Sequence, residues 1–279
     1  MFLRNIQLAL YCLIGCTLYA QNGLEGVVVE RFYVTDKSDN YDTLHNGFVP
    51  VKSVVYRIYL DLKPDYTFQA AYGSPGHTLY FESTEPFYNH IEFGNASPAF
   101  IPEHTLSKSL VSIDSWLTAS CAAENHLAIP VALDDTTTDV HIRFPAALKD
   151  AQAKNAFPFR DGMMRTTQAL PQITFYNMDD AKRNIHTAQG IHRIVIENGA
   201  WACMGKGVYG LNPKEENLVL IAQLTTRGKL SFGLNVMIGT PDGKSERYVY
   251  QNPGQDEAQL NSLLRKASKK YNKEIKIAK

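Results

Sequence analysis

The chain has 279 residues, and its 44% hydrophobic and 11% aromatic content suffices for a sizeable core. Its 28 basic and 28 acidic residues cancel. That balance removes any global electrostatic reason to expect nucleic acid or a membrane surface as a partner.

Met1-Phe2-Leu3-Arg4-Asn5 places a positive charge ahead of an apolar run from Ile6 to Gly15. This layout predicts an export signal over residues 1–20. The run, about ten residues, is shorter than the roughly 20 that a membrane-spanning helix requires, and polar Gln21-Asn22 follow at once. Two processing routes compete. Cleavage after Ala20, the preferred reading, leaves a soluble chain of about 259 residues. Leu13-Ile14-Gly15-Cys16 resembles a lipobox, and cleavage there leaves a chain anchored through a lipid on Cys16.

Strand patterns follow. Val27 to Val34 is rich in β-branched and aromatic residues and predicts a first strand. The next loop spaces Asp36, Asp39 and Asp42 every third residue. Such hard oxygen ligands make a weak calcium candidate, lacking the glycine and distant glutamate of an EF-hand. Ser53 to Leu62 alternates, with Val54, Tyr56, Ile58, Leu60 and Leu62 on one face and Arg57 and Asp61 on the other, which predicts a half-buried strand. Tyr66 to Tyr72 and Thr78 to Ser83 flank Gly73-Ser74-Pro75-Gly76 and read as a hairpin. Around it Tyr72, Tyr80, Phe87 and Tyr88 form either ordinary strand packing or an aromatic face for a sugar or peptide.

Trp116 and Trp201 each shortly precede a cysteine and are expected in the core, with Cys121 and Cys203 near them. Those two cysteines remain after Ala20 cleavage, and in an oxidising compartment they make a candidate disulfide. Its loop of about 80 residues gives about 4 kcal/mol at most by chain entropy; two buried free thiols are the alternative. Asp134, Asp135 and Asp139 form a second acidic loop. Phe144 to Gln189, interrupted by Pro145, Pro158 and Pro171, reads as long connections and short irregular elements.

Gly205-Lys206-Gly207-Val208-Tyr209-Gly210 fits G-x-G-x-x-G, but Leu211-Asn212-Pro213 breaks the chain where a phosphate-binding helix has to start. It reads as a glycine-rich turn. Leu218 to Thr225, Arg227-Gly228 and the alternation from Leu230 to Ile238 read as a second hairpin. A turn at Pro241-Asp242-Gly243 returns the chain to Tyr250, and Asn252-Pro253-Gly254 ends the sheet region.

Beyond it, Asp256 with Gln259 three residues on predicts a helix start. Leu260, Leu263, Leu264, Ala267, Tyr271 and Ile275 recur at helical spacing among seven basic residues that include Lys269, Lys270 and Lys273. Leu260, Leu264, Lys269, Lys270 and Lys273 are therefore candidates for docking on a partner or for peripheral contact with an anionic membrane. The plainer alternative packs the leucines on the sheets and leaves the lysines in water.

The expected fold is all-β, an antiparallel β-sandwich over residues 21–254 with a C-terminal amphipathic helix over residues 255–279. Eight histidines are scattered with no H-E-x-x-H pair, and no G-x-S-x-G elbow is present. No metal, cofactor or catalytic residue is indicated.

Gly23 to Asp36 resembles the start of uncharacterised secreted β-rich modules of Bacteroidota, often found in type IX secretion cargo. The likeness continues through Ser53 to Pro64, Gly73 to His77, Asp114 to Leu117 and Leu220 to Thr226. It implies a shared fold and extracytoplasmic location, secreted, periplasmic or outer-membrane associated, and carries no functional residue. Relatives often continue into a C-terminal sorting domain, where this chain ends in the basic segment. The resulting expectation is a non-enzymatic envelope or secreted protein binding a partner protein or glycan. The alternatives are a polysaccharide hydrolase and an accessory (lipo)protein of an outer-membrane complex.

Overall fold

The computed structural model describes residues 22–40, 48–106, 110–130, 163–187, 190–211, 213–214 and 216–260. The export segment 1–20 with Cys16, Asp42, the 134–139 acidic loop and residues 261–279, with Leu264, Lys269, Lys270 and Lys273, lie outside them.

The described chain is mostly β, in several antiparallel sheets. In order it forms β1 (Leu24–Val34), β2 (Val54–Leu62), β3 (Thr67–Gly73), β4 (Leu79–Ser83), β5 (Trp116–Leu117), β6 (Cys121–Ala123), β7 (His126–Ala128) and β8 (Met163–Arg165). Then come β9 (Ile173–Tyr176), helix α1 (Asp179–Thr187), β10 (Arg193–Ile196), β11 (Gly199–Cys203), β12 (Asn217–Thr226), β13 (Leu230–Gly233), β14 (Val236–Gly239), β15 (Ser245–Val249) and β16 (Glu257–Gln259). A four-stranded sheet runs β1-β2-β12-β5 and a six-stranded sheet runs β16-β15-β14-β3-β11-β9. Two three-stranded sheets run β10-β4-β13 and β6-β7-β8. Among the described residues only the β15–β16 pairing is parallel.

One core cluster joins three of these sheets: Ile58, Leu60, Leu62, Val219 and Ile221 meet Phe68, Ala71, Trp201, Val236 and Ile238, with Leu79, Phe81 and Ile194 alongside. The opposite face of the four-stranded sheet is also covered. There Val28, Tyr59, Leu218 and Leu220 pack on Ile101, Leu106, Val111 and Trp116, and Phe32 and Val55 pack on Leu110 and Ile113. β2 is thus buried on both faces, not half-buried as its alternation predicts, and Arg57 and Asp61 are enclosed with it.

The enclosed charge is accommodated by partners. The Arg57 guanidinium carbon lies 3.7 Å from the Phe32 ring centroid. Its Nε donates to Gln223 Oε1 at 2.9 Å, and Gln223 is its cross-strand neighbour on β12. Gln223 Nε2 then donates to Ser112 O at 2.9 Å and Asp114 O at 2.8 Å. The covering segment is therefore fastened to the sheet by backbone carbonyls that would otherwise be buried without donors.

Both expected hairpins are corrected. The turn after β3 forms, with a Ser74–His77 bridge, but β3 pairs with β14 and β11 while β4 pairs with β10 and β13. Likewise β12 pairs with β2, and the run from Leu230 to Ile238 breaks at Leu234-Asn235 into β13 and β14, which lie in different sheets. Turn residues set local dihedrals, whereas the partner of each strand is set by core packing in three dimensions. The hairpin at Pro241-Asp242-Gly243 forms as β14–β15.

Two further expectations change. Met163 to Thr187, read as irregular, contains β8, β9 and α1. Glu257–Gln259, read as the first helical turn, is strand β16, and Leu260 N–H donates to Val249 O at 2.8 Å. A free parallel edge on β15 satisfies these backbone groups where a helix start would leave its first amides open. No C-terminal helix lies in the described residues, α1 being the only α-helix among them.

Candidate functional site

A cleft of about 880 Å³ opens where the chain crosses from the six-stranded sheet to the three-stranded sheet of β4. One wall carries Gly76, His77 and Thr78 of the β3–β4 turn and Tyr80 of β4; another carries Arg193, Val195 and Ile196 of β10 and then Glu197. Asn177 and the start of α1, Asp179 to Ala181, form a third side, with Asn235, Tyr250 and Gln251 completing the lining. The volume lies within the roughly 300–1,000 Å³ of small-molecule sites.

Asn235 braces it from beneath. This fully buried residue is the point where β13 gives way to β14. Its Nδ2 donates to Tyr72 O at 3.0 Å and His77 O at 2.7 Å, and its Oδ1 accepts the Tyr250 N–H at 2.9 Å. One side chain thereby fixes the crossing turn and the backbone of Tyr250.

Tyr80 and Tyr250 meet edge to face, ring centroids 5.8 Å apart at 83°, with the Tyr80 hydroxyl donating to that of Tyr250 at 3.4 Å. Burial, and then this hydroxyl contact, push the Tyr80 phenol up to about 12. Gly233 makes the pair possible, since a Cβ there would lie 2.5 Å from Tyr80 Cε1 and 2.7 Å from Tyr250 Cδ1. The Arg193 guanidinium carbon sits 5.5 Å from the Tyr80 ring centroid, and its Nε is 3.6 Å from Glu82 Oε2. His77 places Nε2 3.2 Å from Glu257 Oε2 and Nδ1 3.1 Å from Gln251 O. The cleft therefore offers ring faces, amides, hydroxyls, a guanidinium and carboxylates from separate elements.

Helix α1 is held in place by a buried polar contact. Asn89 Nδ2 donates to Ile185 O at 2.5 Å, which turns its Oδ1 away from the helix. That oxygen and Asp114 Oδ2 are both buried and without a hydrogen-bond partner among the described residues. Each would lie 2.8 Å from a Cβ built on Gly94. Asp114 Oδ1 accepts the His90 N–H at 2.8 Å, and burial raises the Asp114 carboxyl well above the usual range, opposed only by that hydrogen bond.

Of the aromatic cluster Tyr72, Tyr80, Phe87 and Tyr88, Tyr80 alone reaches the cleft. Phe87 and Tyr88 are buried and Tyr72 is half-buried outside the lining. Trp116 and Trp201 are fully buried as expected. The Cys121–Cys203 disulfide is corrected, because both thiols are free. Cys121 on β6 directs its Sγ at Ala123 O, 3.3 Å away, whereas Cys203 lies on β11 of another sheet against the main core. Burial pushes each thiol up to about 12.

In the first acidic loop Asp39 is buried and used internally: its Oδ1 accepts from Tyr33 Oη at 2.9 Å and its Oδ2 from the Asp36 N–H at 2.6 Å. Among the described residues no group of three or more His, Cys, Asp or Glu could hold a metal ion. Gly205 and Gly207 have φ of +76° and +87° and form a turn bridging Val208 to Phe68, with no helix after it. Leu260 is fully buried in the main core, so as a docking residue it is corrected to a packing one.

Asp179, Asp180, Arg193, Glu197, Asn235 and Tyr250 were not visible as a site in sequence. One local signal existed: Asp179-Asp180 ahead of Ala181-Lys182-Arg183 is the acid-first order that suits a helix N-terminus. Compared with known protein families, with curated proteins and with solved structures, the chain matches none of them.

Proposed function

We propose that this is an exported, non-enzymatic binding protein whose cleft holds a saccharide chain, the four- and six-stranded sheets packing as a sandwich behind it. The carrying observation is the tyrosine pair, held against a polar cleft by Gly233 and Asn235. Tyrosines give rigid amphipathic contact area, and a sugar ring needs one apolar surface together with donors and acceptors for its hydroxyls. Bracing by a buried side chain lowers the ordering cost of binding.

The test is calorimetry of the mature chain with cellohexaose, mannohexaose and the N-acetylglucosamine hexamer. Binding of one or more, weakened at least about tenfold by Tyr250→Ala, supports the reading. No binding of any oligomer, or binding indifferent to Tyr250, overturns it. A hydrolase is the second reading, favoured by Asp179, Asp180 and Glu197 lining one cleft; release of shorter oligomers, abolished by Glu197→Gln, identifies it.

Location outside the cytoplasm rests on residues 1–20 and is tested by mass spectrometry of the mature protein. A start at Gln21 supports the soluble form, and a lipidated Cys16 supports the anchored form.

A further inference from the structure

The cleft lining has unequal charges. Among the described residues the lining carries Asp179, Asp180 and Glu197 against Arg193 as the only arginine or lysine. Arg193 is committed to Glu82, Asp180 pairs with Arg183 at 3.1 Å, and His77 pairs with Glu257. Among the described residues no cation or donor engages Asp179 or Glu197. One stands in the first turn of α1 and the other just past β10, so two carboxylates on separate elements remain on the lining without counterions.

We infer that the saccharide taken by this cleft carries free amines, as in an oligomer of de-N-acetylated amino sugar, with ammonium groups on Asp179 and Glu197 and sugar rings on Tyr80 and Tyr250. The inference rests on the saccharide reading above. An ammonium brings three donors and a compact charge to a carboxylate, while a neutral sugar leaves both carboxylates to water. A uronic or sulfated sugar places like charge against them.

The experiment compares the glucosamine hexamer with the N-acetylglucosamine hexamer on the mature chain at low salt. It repeats the comparison on Asp179→Asn/Glu197→Gln and includes pentalysine. The amine oligomer is expected to bind about tenfold more tightly, as two exposed ion pairs allow, with the preference shrinking as salt rises. The double variant is expected to lose the preference, and an unchanged circular dichroism spectrum and melting temperature report that it is folded. Equal affinities in the unmodified protein, or a preference that survives in the double variant, overturn the amine inference and leave the saccharide reading standing. Pentalysine binding as tightly as the glucosamine hexamer overturns it as well, since the cleft would then read charge alone. Failure of every oligomer defeats the saccharide reading itself.

Discussion

Replacing Asp114 by asparagine is expected to stabilise the protein at neutral pH. Asp114 is fully buried, its Oδ1 holds the His90 N–H, and its Oδ2, like Asn89 Oδ1, lies beside Gly94 with no hydrogen-bond partner among the described residues. An asparagine keeps the first contact through its oxygen and puts an uncharged N–H₂ where the second oxygen stood, so that no buried group has to ionise as pH rises. Relieving unsatisfied buried groups is worth on the order of 1–3 kcal/mol, about 2–4 °C in Tm per kcal/mol for a protein of this size. The pH dependence is a sharper test. Because burial raises the folded carboxyl, the folded state binds the proton more tightly, so this group's contribution is fully present below the unfolded value of about 3.9 and declines as pH rises from there. Urea unfolding of both proteins from pH 4 to 8 should give a difference curve that grows in favour of Asp114→Asn. Parallel curves, or a variant less stable at every pH, would refute the reasoning.

Three more outcomes follow from the packing. Gln223→Ala removes the acceptor of Arg57 Nε and the donor to two buried carbonyls, and is expected to cost about 1–3 kcal/mol in urea unfolding; an unchanged stability would mean the covering segment is held elsewhere. Leu260→Ala, in the main core, should cost about 2–5 kcal/mol, measurable as a lower melting temperature, whereas an unchanged one would return this residue to the surface. With both thiols raised to about 12, iodoacetamide at pH 8 should label Cys121 and Cys203 far more slowly than a free thiol, and reductant should leave the melting temperature unchanged; fast labelling of native protein contradicts the burial.

Where a segment's partner is its neighbour in sequence, the pattern was readable. β1 follows from its β-branched run, and the β14–β15 hairpin follows from Pro241-Asp242-Gly243. Where strands change sheets the pattern misleads, because Gly73-Ser74-Pro75-Gly76 specifies a reversal and says nothing about which edges lie nearby. Arg57 and Asp61 read as wet because a charged residue on an alternating strand usually is; their burial depends on a covering segment that begins some 40 residues later. The cleft was illegible for the same reason, since Tyr80, Arg193, Asn235 and Tyr250 meet only through the β4, β10 and β13 pairings. At the C-terminus, leucine spacing suggested a helix across a point where an open strand edge had the stronger claim on the backbone.

The pairing of β2 with β12 also sets a timetable for the nascent chain. Arg57 and Gln223 are 166 residues apart, so one flank of β2 can zip to β1 early while the other waits for β12. At roughly 5–20 residues per second the wait is on the order of 10–30 s. During it a row of backbone amides and carbonyls flanked by Val55, Tyr59 and Leu60 stays open on that flank. A fragment ending before residue 217 lacks β12 and keeps that edge open as a template for pairing with another chain.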